Sequence, residues 1–539
     1  MARPEIIPIS NLGARASGSA LSIYRKQAAP ELVFAVVGHV GSGTTAIAEK
    51  LEELLHQQGF DVVFLKATEE ILRWARNTRQ PESAHIESLD RKDLQRAILL
   101  QDLGDAMRFT KKDNAAVARA LVIRIRTVRA ERLNLALQHG EPVLPDETPR
   151  AYILESLRHP FEVELLRHIY GRAFALIGIV CDEEDRLGRL SKKFRNAGRD
   201  DAWSFMKRDE KAREKHGQRV GEAFHLADYF LDNTVQRYLS DEKKTPNPDW
   251  DIPEQLRRLV RIIAHSDVMR PTTAETAMHM AFAAKLRSAC LSRQVGAALV
   301  DRNGRIIATG ANEVPRAGGG VYGEQFDEEP HDGRCAFRPL GDQEKPYCSN
   351  NREQSEIIED LIREIPELAA ITDPERRDRL VAILRGTRIG GLLEFSRAVH
   401  AEMDALLAAA RLGISTLGTR LFVTTFPCHY CARHLVGAGV DEVQYIEPYP
   451  KSRALKLHDD AITKTALGWK PMAQGGPRVL FRPFTGVAPR LYRRAFLKDR
   501  DLKDDTSGEM QVGEPTWGSP WYPLRVSYVQ LEAELAKEE

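Results

Sequence analysis

Apolar residues along this chain fall into two kinds of run, and their spacing separates strands from helices. Leu32-Val33-Phe34-Ala35-Val36-Val37, Val62-Val63-Phe64-Leu65, the stretch from Phe174 to Val180, and Tyr229-Phe230-Leu231 are short and nearly continuous, as strands covered on both faces are. Longer stretches with helical spacing lie between them, and strands alternating with helices predict a parallel sheet with crossover connections. A second α/β pattern begins near Arg270. It predicts a helix over about Ala274 to Cys290, strands at Gly296–Val300 and Arg305–Thr309, an insertion over about 315–395, then helix, strand, helix and strand from 400 to about 446.

With 539 residues the chain is too long for one hydrophobic core. The expected organisation is a leader over 1–30, an α/β domain over 31–240, a linker over 241–268, a second domain over 269–480, and a C-terminal extension over 481–539. The linker is suggested by the charged, proline-bearing run Asp241 to Asp249, which has no apolar periodicity. The extension, with Trp517, Trp521 and Tyr522 among prolines, reads as irregular chain suited to wrapping another surface.

Charge narrows the function classes. Lys and Arg number 78 against 77 Asp and Glu, a net charge of +1, so no global field holds nucleic acid or an anionic membrane and any phosphate recognition is local. The N-terminal Met-Ala-Arg-Pro-Glu-Ile-Ile-Pro has no apolar run of signal-peptide length and no stretch elsewhere approaches a membrane span, so a cytoplasmic location with no membrane partner is expected. Six cysteines are too few for a disulfide scaffold, and the close pair Cys428 and Cys431 beside a proline points to metal binding.

Two segments carry the chemistry. His400-Ala401-Glu402 opens a helix that stops at Gly413. Pro427-Cys428-His429-Tyr430-Cys431 follows the strand-like Leu421 to Thr425, with the proline suited to a first helical position. One histidine and two cysteines supply the three protein ligands of a catalytic zinc, whose fourth position stays open to water. Glu402, two residues past the histidine, is placed for general acid/base work rather than ligation. A closed zinc knuckle would need a fourth protein ligand, for which His429 and His434 are the local alternatives.

This arrangement resembles the cytidine deaminase superfamily, whose signature is His-x-Glu followed by Pro-Cys-x-x-Cys. The 28 residues from 400 to 428 accommodate a helix, a loop and a strand. Ser288 to Val300 and Ile306 to Pro315 are similar to the substrate-binding strands of deoxycytidylate deaminases, a resemblance covering about 275–450. It implies a cytidine-deaminase-like α/β/α domain and a sugar hydroxyl contact from Asn312, against the alternative of a turn asparagine. Arg293 is a candidate phosphate contact, or else an exposed arginine. Tyr445 to Ser452 also resembles that group, with Tyr449 bordering the base and Lys451 or Ser452 near phosphate, or else a core tyrosine and a solvated lysine. His331, Cys335 and Cys348 lie in the insertion. A second, structural zinc there would need a fourth ligand that cannot be named, so unliganded loop cysteines are expected.

In the first domain, Gly38-His39-Val40-Gly41-Ser42-Gly43-Thr44-Thr45 follows a strand and precedes a helix, matching the phosphate-loop pattern except that Thr44 stands where lysine belongs. Gly38, Gly41, Ser42, Gly43, Thr44 and Thr45 are the candidate nucleotide-binding residues, with Mg2+ at Thr45. Nucleotide binding is expected and fast phosphoryl transfer is not. Ile153 to Glu162, the arginines Arg186, Arg189 and Arg195, and Ala227 to Asn233 resemble the corresponding parts of nucleoside monophosphate kinases, implying a P-loop kinase-like parallel-sheet domain.

The order of these parts resembles the bacterial antiphage deoxycytidine nucleotide deaminases over nearly the whole chain, as does Phe481 to Arg490. The resemblance implies conversion of dCTP and dCMP to uracil nucleotides, depletion of dCTP during phage replication, and restraint by nucleotide ligands or an inhibitory small RNA. Relatives assemble as homo-oligomers, often hexamers. The alternatives are a housekeeping dCMP deaminase for thymidylate supply, a polynucleotide cytosine or adenine deaminase, and a nucleotide-sensing protein with a dead site. The absence of a basic, aromatic-interleaved stretch speaks against the polynucleotide editor, and the complete His400, Glu402, Cys428, Cys431 set against the last.

Overall fold

A computed structural model describes residues 29–511, except 138–139, 195, 211–215, 241–242, 266, 324–332, 338–344, 450, 467 and 499–501; of the C-terminal segment it describes 529, 532, 533, 535 and 536. The expected leader, Arg195, His331, Trp517, Trp521 and Tyr522 fall outside these residues. The chain divides into two compact units, residues 1–271 with 485–539, and residues 272–484.

The first unit is built on the continuous apolar runs. Glu31–Val37 (β1), Asp61–Lys66 (β2), Arg150–Glu155 (β3), Phe174–Val180 (β4) and Tyr229–Asp232 (β5) form a parallel sheet in the order β5-β4-β1-β3-β2. Every residue of β1 and β4 is buried, which is why these strands read as unbroken apolar runs rather than alternating ones. The chain leaves β1 on one side for β2 and β3 and on the other for β4 and β5, so the order reverses at β1. At its carboxyl end the Gly38–Gly43 loop turns into Thr44–Gln57 (α1).

Two boundaries differ from expectation. The supposed linker contains Ile252–Ala264 (α5), a thirteen-residue helix after helices Ala116–Arg132 (α2), Pro160–Tyr170 (α3) and Glu183–Lys193 (α4). Leu256, Leu259 and Ile263 of α5 are fully or almost fully buried in the core formed by β1 and α1. Its apolar stripe follows the charged run directly, and an amphipathic helix with such a stripe belongs to a core. The extension is not free chain either: Gly486–Val487 pairs antiparallel with β5, and Leu491 and Ala495 of helix Pro489–Phe496 join the same core. Farther on, Glu532 is fully buried against Arg129, itself fully buried, at 2.6 Å, and Arg129 binds Glu31 at 2.7 Å. Tyr170 donates its hydroxyl to Glu532 at 2.8 Å. Such a set is held only because each charge has partners; removing one would strand the other in a dry interior.

The second unit places Thr273–Lys285 (α6), Gly296–Val300 (β6), Ile306–Ala311 (β7), Arg420–Thr425 (β8), Glu442–Glu447 (β9), Ile462–Thr463 (β10) and Val479–Pro483 (β11) around one mixed sheet of order β10-β11-β9-β8-β6-β7. β8 runs antiparallel to β6 and parallel to β9. Ser349–Glu364 (α7) and Pro374–Gly386 (α8) belong to the insertion, and Ala401–Arg411 (α9) and His429–Gly437 (α10) follow it. The predicted helix ends at Lys285 rather than Cys290, and the second strand extends to Ala311.

Two glycines let helices lie against this sheet. A Cβ on Gly296 would stand 1.9 Å from the Ala281 carbonyl oxygen of α6, and one on Gly310 would stand 2.1 Å from the Ala401 oxygen of α9. The paired positions Gly296↔Ala311 and Ala297↔Gly310 face opposite sides, so the two helices cover opposite faces and make an α/β/α arrangement. Replacement of Gly310 by alanine forces α9 from the sheet at the residue next to His400. Gly310→Ala is expected to cost about 1–3 kcal/mol of stability, read as a lower urea midpoint; an unchanged midpoint would contradict the packing described.

Candidate active site

The site lies where two helices begin. His400 is the N-cap of α9, and its carbonyl accepts the Asp404 N–H at 2.9 Å. Asp404, 1% exposed, accepts the Ala311 N–H at 3.0 Å and so ties α9 to the end of β7. Cys428 is the N-cap of α10, its Sγ accepting from the Cys431 N–H at 3.4 Å. The positive ends of two helices therefore point at the same spot, a setting that favours thiolate over thiol.

The structure brings together the four residues on which the zinc reading rests. His400 Nδ1 lies 3.2 Å from Cys428 Sγ and 3.3 Å from Cys431 Sγ. Among the described residues this is the single group of three or more His, Cys, Asp and Glu side chains whose donor atoms could share a metal ion. The donors are borderline-soft nitrogen and sulfur at separations close to the edges of a zinc tetrahedron, and among the described residues no fourth protein ligand joins them, so they fit a zinc ion with one open position. Glu402 is 4% exposed and lines the same cavity of about 350 Å3 as His400 and Cys428.

The electrostatics agree with that assignment. A hydrogen bond from the Cys431 thiol, with burial opposing and His400 assisting, holds Cys428 far below the ordinary thiol range, at about 4. Burial pushes Cys431 well above that range. Burial also works against a proton on His400, but the adjacent Cys428 thiolate outweighs it and raises the imidazole to about 9. Burial lifts the Glu402 carboxyl to about 7.

The remaining candidates are arranged differently from expectation. Asn312 lines the cavity, but its Oδ1 accepts the Val295 N–H at 2.6 Å and its Nδ2 donates to the Arg293 carbonyl at 2.6 Å. Its amide thus pins the 293–295 backbone at the cavity wall. Arg293 sits 5.8 Å over the Tyr449 ring and 3.9 Å from Glu447, and both Arg293 and Tyr449 line the cavity. Lys451 donates to the Gly390 carbonyl at 3.0 Å, and Ser452 to the Pro427 carbonyl at 2.7 Å. His434 bonds its own helix at Tyr430 and is no ligand.

Sequence reasoning missed the share of the wall built by the insertion. Ser349 and Asn350, at the start of α7, line the cavity with Cys335, Cys348 and Arg397. Cys335 and Cys348 do not gather into a second metal group among the described residues. The one available signal was the length of the insertion, about eighty residues where a compact core needs few.

The first unit carries the second set of candidates. Gly41 and Gly43 adopt positive φ, 83° and 86°, which only glycine takes without strain. Thr45 donates its hydroxyl to Glu155 at the end of β3. The Val40 N–H is taken by the Asp209 carboxylate at 2.9 Å, and Arg158 spans Asp209 at 2.6 Å and the Gly38 carbonyl at 3.2 Å.

Several known proteins are similar to this chain. A family model described as the cytidine and deoxycytidylate deaminase zinc-binding region matches residues 271–447. The deoxycytidylate deaminase of Enterobacteria phage T4 is 29% identical over 185 residues, covering 33% of this chain and 80% of that protein. A probable deoxycytidylate deaminase of Drosophila melanogaster is 41% identical over 68 residues, covering 12% of this chain and 32% of that protein. A crystal structure of the dCMP deaminase from cyanophage S-TIM5 with dCMP and dUMP aligns over 40% of this chain and 99% of that one, at 21% identity and a TM-score of 0.21.

Residues 271–447 form a domain of the cytidine and deoxycytidylate deaminase superfamily. The chain is a nucleotide deaminase, and so a hydrolase.

Metal entry must expel the proton on His400 and the proton on Cys431, both held at neutral pH by the shifts described. Zinc titration of the metal-free protein at pH 7 is expected to release about two protons, with affinity rising as the pH approaches 9; calorimetry in buffers of different ionisation enthalpy reads the number. Wild-type protein should hold one zinc per chain by elemental analysis and Cys428→Ala close to none. Full zinc content in that variant would remove the cysteine from the site.

Proposed function

We propose that this enzyme deaminates deoxycytidine nucleotides, both dCMP and dCTP, to the corresponding uracil nucleotides and ammonia, with His400, Cys428 and Cys431 as zinc ligands and Glu402 as the proton carrier. The observation that carries the reading is a buried carboxyl two residues from one ligand, facing the same cavity as the ligand cluster. When bound, zinc lowers the pKa of water and supplies a nucleophile at neutral pH.

Glu402 does the rest of the proton work. Lifted to about 7, it holds its proton below that pH and yields it above, so near neutrality it can both accept a proton from water and return it. The first transfer goes to the ring nitrogen next to the amino-bearing carbon, and the second to the departing amine. The Asn312 amide keeps the 293–295 segment in place as one wall, and Tyr449 offers an aromatic face with Arg293 above it. Arg293, Arg397 and Lys451 line the cavity as cations able to meet phosphate, which supports acceptance of the triphosphate as well as the monophosphate.

Consumption of dCTP would deprive replicating phage of a DNA precursor, and the phosphate-loop-like turn of the first unit supports a nucleotide-responsive control element, with Mg2+ at Thr45. A second reading, a dCMP deaminase serving thymidylate supply, is favoured by the fact that the curated relatives include deoxycytidylate deaminases. Turnover of dCMP, dCTP, CTP and single-stranded DNA decides between them. The first reading expects dCTP and dCMP turnover within about tenfold of each other; a monophosphate preference beyond that, about 1.4 kcal/mol of discrimination per factor of ten, favours the second. Deamination of single-stranded DNA would overturn both.

Glu402→Ala is expected to keep one zinc per chain and lose about 10²–10⁴-fold in kcat. Full turnover in the zinc-loaded variant would sink the role given to Glu402.

A further inference from the structure

The second residue of α7 carries a side chain whose hydrogen bonding is only half used. Asn350 belongs to the cavity wall that the insertion builds beside His400 and Glu402. Its Nδ2 donates to the Leu392 carbonyl at 2.9 Å, while its Oδ1 is buried and, among the described residues, accepts no hydrogen bond. Turning the amide round would not relieve this, because Oδ1 would then face the Leu392 carbonyl, acceptor against acceptor. An asparagine in the first turn of a helix commonly serves that helix's own N–H groups. Here Cys348 is the N-cap, without a side-chain cap, and Asn350 is turned to Leu392 instead. A buried amide oxygen without a donor is costly until one arrives.

The surroundings of Asn350 narrow the choice of donor. Two residues before it, Cys348 Sγ lies 3.5 Å from Ser292 Oγ, and Ser292 leads into Arg293, whose guanidinium stands over Tyr449. Leu392, which holds the amide, lies two residues past Gly390, whose carbonyl holds Lys451. Asn350 is thus tethered to the segments that carry or hold the cations Arg293 and Lys451. A deoxycytidine nucleotide with its amino-bearing carbon at His400, Cys428 and Glu402 and its phosphate at those cations has its sugar between the two ends. Such a nucleotide brings few donors. Its amino group is required at the reacting end, its phosphate oxygens are acceptors that an amide oxygen repels, and its cytosine ring has no N–H. The sugar 3′-hydroxyl remains. Asn312, the sugar contact that the sequence suggested, commits both ends of its amide to backbone.

We propose that Asn350 Oδ1 accepts the 3′-hydroxyl of the substrate's deoxyribose, so that the insertion supplies a specificity-determining residue. The proposal rests on the deamination reading of this cavity and deepens it. An internal nucleotide of a polynucleotide has no free 3′-hydroxyl, so the same contact sets the monomer apart from the polymer.

The test compares dCMP with 2′,3′-dideoxy-CMP, which lacks that one hydroxyl, in the wild-type zinc protein, Asn350→Ala and Gln354→Ala. Wild type is expected to favour dCMP in kcat/KM by about tenfold or more, because the dideoxy nucleotide leaves Oδ1 without a donor. Asn350→Ala should bring the two within about twofold, by losing dCMP turnover rather than gaining dideoxy turnover. The ratio is internal to each preparation, so a partly folded variant still reports it, and in Asn350→Ala the Leu392 carbonyl keeps its bond from Gln354 Nε2, 2.7 Å long. Gln354→Ala removes a support of the same carbonyl but keeps the acceptor, and should retain the wild-type ratio. A wild-type ratio near one, a ratio unchanged in Asn350→Ala, or a ratio lost equally in Gln354→Ala would each overturn the proposal. Calorimetric binding of both nucleotides to zinc-loaded Glu402→Ala, with and without Asn350→Ala, reads the hydroxyl preference without turnover. A preference seen there and abolished by Asn350→Ala, in an enzyme whose wild type deaminates neither dCMP nor dCTP, overturns the catalytic reading and leaves the role of Asn350 standing. Deamination without any hydroxyl preference overturns the role of Asn350 alone.

Discussion

The second unit is organised around a crowding constraint: one imidazole nitrogen must lie 3.2 Å from one buried sulfur and 3.3 Å from another. Without a shared cation, such a cluster holds its charge as an imidazolium beside a thiolate, with the second thiol forced to keep its proton. The sheet makes the convergence happen. β8 delivers Cys428 at its end, β7 receives α9 through Gly310 and Asp404, and β6 lies between the two strands and fixes their distance. Both helices start at the site, so their dipoles add to the positive field that stabilises thiolate. Burial also raises the Glu402 carboxyl to about 7.

The cavity wall comes from a different part of the chain. The proposed metal ligands and Glu402 come from the helix and strand core, whereas much of the wall comes from the 293–295 segment and the insertion. Asn312 shows how these roles divide. Its amide is engaged by the backbone at Arg293 and Val295, so it holds the wall in place. Glu447 acts in the same manner, binding Lys285 at 2.9 Å and the Thr425 hydroxyl at 3.3 Å below Arg293.

In the first unit the parallel sheet reverses its order at β1, the position where open α/β sheets form a crevice beyond their strand ends. The loop at that point is kept in shape by protein groups: Asp209 and Arg158 on one side, Asn233 and Arg189 on the other. The buried Arg129, clasped by Glu31 and Glu532, ties the C-terminal segment to this unit. A chain end so held contributes to the core, because its release would leave the Arg129 guanidinium short of a counter-charge.

Local rules sufficed for much of this. Strands buried on both faces write continuous apolar runs, so β1, β4, β6 and β8 were legible, and ligand chemistry fixes residue type and spacing tightly enough that His400, Glu402, Cys428 and Cys431 stood out from the sequence alone. What depends on long-range packing did not. Nothing local showed that α5 and Gly486 to Ala495 join one core, that Glu532 reaches Arg129 across some four hundred residues, or that Asn312 spends its amide on backbone. The insertion's share of the cavity wall was hidden for the same reason. A sequence records which groups are present, but which groups become neighbours is decided by the register of sheets and the close approach of helices to them.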